Sequence, residues 1–277
     1  GEPVTEKTRF EAASTSKPLY AYAVMKLVEE GKLDLDEPLT NYLEDAYMEG
    51  DDRHLKITAR MVLSHRSGFP NWRKGGISKN PAPPSLGFDP GTQQQYSGEG
   101  FTLLQTAVET ITGMNIDQFT QEKLLKPMAM SDSRYVWDPK GEIAAAHHSD
   151  GSFRRANPRY RSGNSAYSLF TTPTDYAKFL IEMMKADRSA PHSISDETRA
   201  EMLRSHSSPE DKRNFALSWV IRPEQQGGYS HTGSNRGFRC GAWFDPELNR
   251  GLVIMTNSSS GELLRDRIFV EALGSWE

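Results

Sequence analysis

Three short elements carry the residues best suited to chemistry: Ser14-Thr15-Ser16-Lys17, Tyr96-Ser97-Gly98 and His231-Thr232-Gly233. The first has the form S-x-x-K. Where a helix starts, residues three apart share a face, so Lys17 stands beside the Ser14 hydroxyl. The helix N-terminus adds positive potential, which favours an alkoxide as it forms. A lysine kept from water can lose its proton near neutral pH and act as a base. Alone, the string is weak: a chain this rich in Ser and Lys yields roughly one S-x-x-K by chance. A capping serine followed by a surface lysine reads the same way. What argues for an enclosed Lys17 is the stretch behind it.

From Lys17 to Glu30 the sequence reads as a helix that is apolar nearly all round, through Leu19, Tyr22, Ala23, Val24, Leu27 and Val28. Such helices lie inside a domain. Pro18 suits the first turn and Gly31 the end. Tyr96 follows the turn signal Asp89-Pro90-Gly91 and precedes a helix expected over Gly100 to Thr112, closed by Gly113. A further helix starts at Pro173, with Thr172 as its cap. The last quarter reads as strands at Phe215 to Ile221, Gly237 to Phe244 and Gly251 to Met255, with a helix from Gly261 to Leu273. Gly227-Gly228 and Asp245-Pro246 punctuate the hairpins, and His231-Thr232-Gly233 falls on a strand candidate. The expected fold is α+β: a mainly antiparallel sheet flanked by helices, with a mostly helical insertion. Residues 1–34 plus 211–277 would form the sheet region and 35–210 the helical region carrying Tyr96. The loop from Gly68 to Gly91 is rich in Pro and Gly, and Trp72 within it is a candidate wall for an acyl pocket.

In this order, S-x-x-K, a middle Tyr motif and a K-T-G-like strand motif resemble the penicillin-binding-protein and class C β-lactamase superfamily. The Tyr version points to the class C side and to its relatives, family VIII esterases and D-amino-acid peptidases. Phe10-Glu11-Ala12-Ala13-Ser14, the stretch from Val28 to Asp36, Leu63-Ser64-His65-Arg66-Ser67-Gly68 and Met255-Thr256-Asn257-Ser258 are similar to stretches of that family. The resemblance implies Ser14 as nucleophile, Lys17 as its activator and Tyr96 as the proton shuttle to the leaving group. It implies an oxyanion hole made by the backbone N–H groups of Ser14 and Ser234, and substrate contacts around His231, Thr232, Gly233 and Gly98. It implies no cofactor.

Two departures bear on substrate. Gly98 stands where the family's Asn helps bind a substrate amide, and His231 where it has Lys. Both remove recognition of a β-lactam or peptide and leave the acyl-transfer groups alone. The expectation is therefore hydrolysis of carboxylic esters or small amides, with a β-lactamase or D-amino-acid-specific peptidase as the alternative. A catalytically idle binding or assembly protein is the rival from another class. Arg236 and Arg239 either replace the missing positive charge or are solvated strand-edge residues.

Bulk composition narrows the partners. The chain has 277 residues, a net charge of −4 and scattered Lys and Arg, which gives no footprint for nucleic acid. No apolar run reaches membrane-spanning length. Cys240 is the only cysteine, which precludes an intrachain disulfide. His147-His148 with Asp150 lacks the context of a metal site, and no metal is expected. The absence of a signal peptide leaves exported, periplasmic and cytoplasmic locations open. Only thirteen residues precede Ser14, fewer than the resemblance implies. One sheet edge is thus expected to pair with another chain, to be covered by residues 1–10, or to stay open, and a homo-oligomer is one outcome.

Overall fold

The computed structural model describes residues 3–44, 47–76, 81–154, 160–222 and 227–274. In chain order the elements are β1 (Phe10–Glu11), α1 (Ser16–Glu29), α2 (Ala59–Leu63), α3 (Glu99–Thr112), α4 (Ile116–Thr120), β2 (Phe170–Thr171), α5 (Pro173–Met184), α6 (Asp196–Leu203), β3 (Val220–Ile221), β4 (Tyr229–Asn235), β5 (Phe238–Asp245), β6 (Arg250–Thr256) and α7 (Gly261–Leu273). The main sheet is antiparallel in the order β3-β4-β5-β6, and β1 pairs with β2 separately. The α+β architecture expected from the sequence is present.

Period-two alternation in β5 puts Ala242 and Phe244 in the large core and Trp243 against α7. On the core face Trp219 packs edge-on to Phe244 and stacks with Phe179 of α5. On the other face Gly241 leaves room for Phe269, whose ring would lie 2.6 Å from a Cβ there. α1 is central: every residue from Ser16 to Met25 is buried. Its all-round apolar sequence is what permits that position. Thr172 caps α5 by accepting from Asp175 N at 3.1 Å, and Gly113 ends α3 in the left-handed conformation. Both follow the sequence signals.

The strand expected over Phe215 to Ile221 is a correction. Only Val220 and Ile221 form a strand, because Ser218 turns to φ +69° and Ala216 N bonds Trp219 O at 2.8 Å. The apolar run is a tight turn that doubles back on itself, and it buries Trp219 completely.

β6 is the outer strand of the sheet, and among the described residues no strand pairs with its free side. Residues near the start run elsewhere: Arg9 bridges to Ile143 and β1 to β2. Residues 1–10 therefore do not cover this edge as an added strand among the described residues. No described helix is long and apolar enough to cross a membrane.

Candidate active site

Ser14 lies in a 3-10 turn, Ala13–Thr15, that leads into α1. Ala13 before it takes φ +51°, a conformation that costs an alanine about 1 kcal/mol or more. β4 presses on this turn. A Cβ at Gly233 would stand 2.5 Å from Ala12 O and 3.1 Å from Ser14 N, so only glycine allows the approach. That contact brings Ser234, the next residue, beside the nucleophile turn.

Lys17, in the first turn of α1, donates to Ser14 Oγ at 3.3 Å and to Ala166 O at 2.8 Å. It is 1% exposed, and its ammonium lies 4.8 Å from the Tyr96 ring centroid and 5.5 Å from that of Phe101. No acidic side chain among the described residues bonds it. Burial without a counter-charge lowers its pKa to about 7, so neutral amine and ammonium coexist near neutrality.

Tyr96 is half-buried, and its buried hydroxyl has no partner of good geometry among the described residues. Burial raises its pKa, while the Ser14 hydroxyl and Arg213 pull the other way. Its backbone is held by a residue that sequence reasoning did not single out. His65 O accepts from Gln95 N at 2.8 Å, and His65 Nδ1 accepts from Ser97 N at 3.2 Å. The two bonds flank Tyr96, and the imidazole lies tilted by 38° against its ring, 4.3 Å between centroids. Nδ1 can accept only in the neutral Nε2–H tautomer, and burial pushes the His65 pKa well below 6.5. His65 also sits at φ +60°. The stretch Leu63 to Gly68 carried the signal, but only as a resemblance.

His231 reaches the site on β4, with its ring 6.0 Å from that of Tyr96. It does not bond Tyr96 or Ser16. Its Nδ1 pairs with Thr232 O at 2.8 Å, and Ser16 is engaged with Ala13 O. Burial, with Lys17 nearby, takes the His231 pKa to about 3, so the ring is neutral.

Gly98 explains the loop before it. A Cβ there would lie 2.6 Å from the Trp72 ring and 3.0 Å from Asn71 O. The indole thus fills the space of a side chain at 98. Gly98 N donates to both Asn71 O and Asn71 Oδ1, at 2.9 and 3.1 Å. Glu99, at the start of α3, pairs with Arg73 and Tyr47 and ties the loop down.

Two cavities meet at Ser14. One, of about 490 Å³, contains Tyr96, His231, Thr232 and three arginines, Arg213, Arg239 and Arg265. The other, of about 300 Å³, runs past Asn71 and Trp72 to Tyr160, Tyr167 and Glu11, with Arg236 at its rim. Arg239 is tied to Asn235 O, Phe238 O and Glu262. Arg213 is exposed and had no signal in the sequence. His147 pairs with Asn257 O and Asp150 with Ser152, and the described residues contain no group of three metal-ligating side chains.

Known proteins resemble the chain over nearly its whole length. The family model described as Beta-lactamase matches residues 1–274. An N-acetylmuramyl-L-alanine amidase of Bacillus subtilis (strain 168) is 27% identical, over 92% of this chain and 69% of its own. Protein flp of Staphylococcus aureus (strain MW2) is 22% identical over 91% of this chain, which spans only 53% of flp. Among solved structures, a penicillin binding protein from Bacillus halodurans superposes with a TM-score of 0.82 at 24% identity, covering 98% of this chain and 87% of its own.

Proposed function

The chain belongs to the Beta-lactamase family, and from that premise we propose that it is a serine hydrolase acting through an acyl-enzyme on Ser14. The observation that carries this reading is the desolvated Lys17 amine 3.3 Å from Ser14 Oγ. Neutral Lys17 takes the Ser14 proton as Oγ attacks the substrate carbonyl. The backbone N–H groups of Ser14 and Ser234 receive the oxyanion; donors so placed are worth about 3 kcal/mol or more in such reactions. Tyr96 conveys the proton to the leaving group, which departs into the cavity that Tyr96 lines. Water then attacks the acyl-enzyme and restores Ser14.

The substrates are carboxylic esters or small amides. The neutral His231 offers no charge to a carboxylate, which esters do not need. A second reading has its own support. Arg213, Arg239 and Arg265 line the leaving-group cavity, and a leaving group bearing a carboxylate would suit them, as in a β-lactam or peptide.

Mass spectrometry after a fluorophosphonate label tests the nucleophile. The adduct is expected on Ser14 and absent in Ser14→Ala; a label on another serine ends the proposal. A panel of p-nitrophenyl ester, nitrocefin and D-alanyl amide separates the two substrate readings.

A further inference from the structure

Glu11 has no part in the mechanism above, yet its carboxyl lies beside the nucleophile turn and lines the smaller cavity. The residue is 1% exposed. Oε2 accepts from Asn235 Nδ2 at 2.7 Å and from the Tyr160 hydroxyl at 3.2 Å. Oε1 is buried and has no partner among the described residues. A buried carboxylate oxygen without a donor is costly, and such an atom at a cavity wall calls for a donor from a ligand.

The cavity supplies the rest of a cation site. Trp72, Tyr160 and Tyr167 wall it, with ring centroids 5.4 Å apart for Trp72–Tyr167 and 5.3 Å for Tyr160–Tyr167. Aromatic walls attract an ammonium through their ring quadrupoles. Among the described residues that line it, the other charged side chain is Arg236, which is exposed at the rim, where water screens it. Tyr96 faces the other cavity, so a leaving group protonated by Tyr96 departs there and the acyl group extends here.

We infer that this cavity is an acyl-side subsite for acyl groups carrying a cationic amine, with Glu11 as the carboxylate that receives it. The inference rests on the acyl-enzyme reading for its placement of the acyl group. Burial raises the Glu11 pKa to about 7, and a bound ammonium would draw it into the carboxylate form.

The test is equilibrium binding to Ser14→Ala protein, which needs no turnover. Calorimetry compares 3-amino-3-phenylpropanamide with 3-phenylbutanamide, which has a methyl in place of the amine. The amine is expected to bind about tenfold tighter or better, the scale of a charge-assisted contact. Adding Glu11→Gln should bring the ratio near one. Equal binding in Ser14→Ala overturns the inference without any change at Glu11, so a folding defect in the double variant cannot protect it. A preference that survives Glu11→Gln removes Glu11 from the site. Fluorophosphonate labelling of the unmodified protein reports separately on the acyl-enzyme reading, so the two failures stay distinct.

Discussion

Replacing Lys17 with methionine should abolish activity yet make the protein more stable near neutral pH. Burial lowers the Lys17 pKa from 10.5 to about 7, so the folded state resists the charge that the unfolded chain accepts freely. Between these values the unfolded chain binds more protons, and stability must rise with pH across that window. The lowered pKa makes Lys17 cost about 4 kcal/mol at pH 7 and about 2 kcal/mol at pH 9, and nothing well above pH 10.5. Methionine has similar length and no charge. It loses the bonds to Ser14 and Ala166, each worth about 0.5–1.5 kcal/mol, so the net gain at pH 7 is about 2 kcal/mol.

The pH dependence is the sharper measure, because the hydrogen-bond losses cancel in it. Urea denaturation of both proteins at pH 7 and pH 9 should show the advantage of Lys17→Met shrinking by about 2 kcal/mol. In the unmodified enzyme, kcat/KM for a p-nitrophenyl ester should rise through about pH 7 as Lys17 loses its proton. A stability difference that is level between the two pH values would falsify the depressed pKa. A pH–rate profile flat through neutrality would leave Lys17 without its role as base.

Tyr96→Phe removes only a hydroxyl and should lower kcat about 100-fold while KM moves little; near-native kcat would make Tyr96 a packing residue. His65→Phe keeps a ring against Tyr96 but leaves Ser97 N–H without its acceptor, at a cost of about 1–3 kcal/mol. Its thermal midpoint should fall and its kcat drop more than its KM changes; equal stability would mean the clamp is idle. Gly98→Asn forces a Cβ to 2.6 Å from the Trp72 ring and should destabilise the protein, as seen in its urea midpoint. Adding Trp72→Ala to it should recover part of the loss, and no recovery would show that the indole does not fill that space.

The nucleophile helix was readable because a long, nearly all-round apolar stretch bounded by Pro18 and Gly31 fits a buried helix, and burial is what alters Lys17. Caps and glycines marked the ends of α3 and α5 for similarly local reasons. The strand expected from Phe215 failed because nothing in an apolar run announces a serine at positive φ. His65, Arg213 and Glu11 were not placed because their roles depend on contacts between segments far apart in the chain. His65 meets Tyr96 across 31 positions, and Glu11 meets Asn235 across 224.

The two departures from the family pattern turn out to be coupled to compensating neighbours. A glycine at 98 admits the Trp72 indole, and the same backbone N–H fixes the Asn71 carboxamide through its Oδ1. That leaves Asn71 Nδ2, a donor, at the junction of both cavities near Ser14. A neutral His231 removes a charge from β4, but Arg213, Arg239 and Arg265 line the same cavity from three other places in the chain. Reading residue types at motif positions therefore overstates what the site has lost. Arg239 is already paired with Glu262 of the same cavity and Arg265 with Asp266, so among the described residues Arg213 is the cation left to meet an anion. What has changed is geometry: the charge comes from a longer, more exposed side chain that can meet larger or more varied anions. A leaving group with its carboxylate several bonds from the scissile carbonyl would suit it better than a compact fused ring, and an ester with no carboxylate would forgo it altogether.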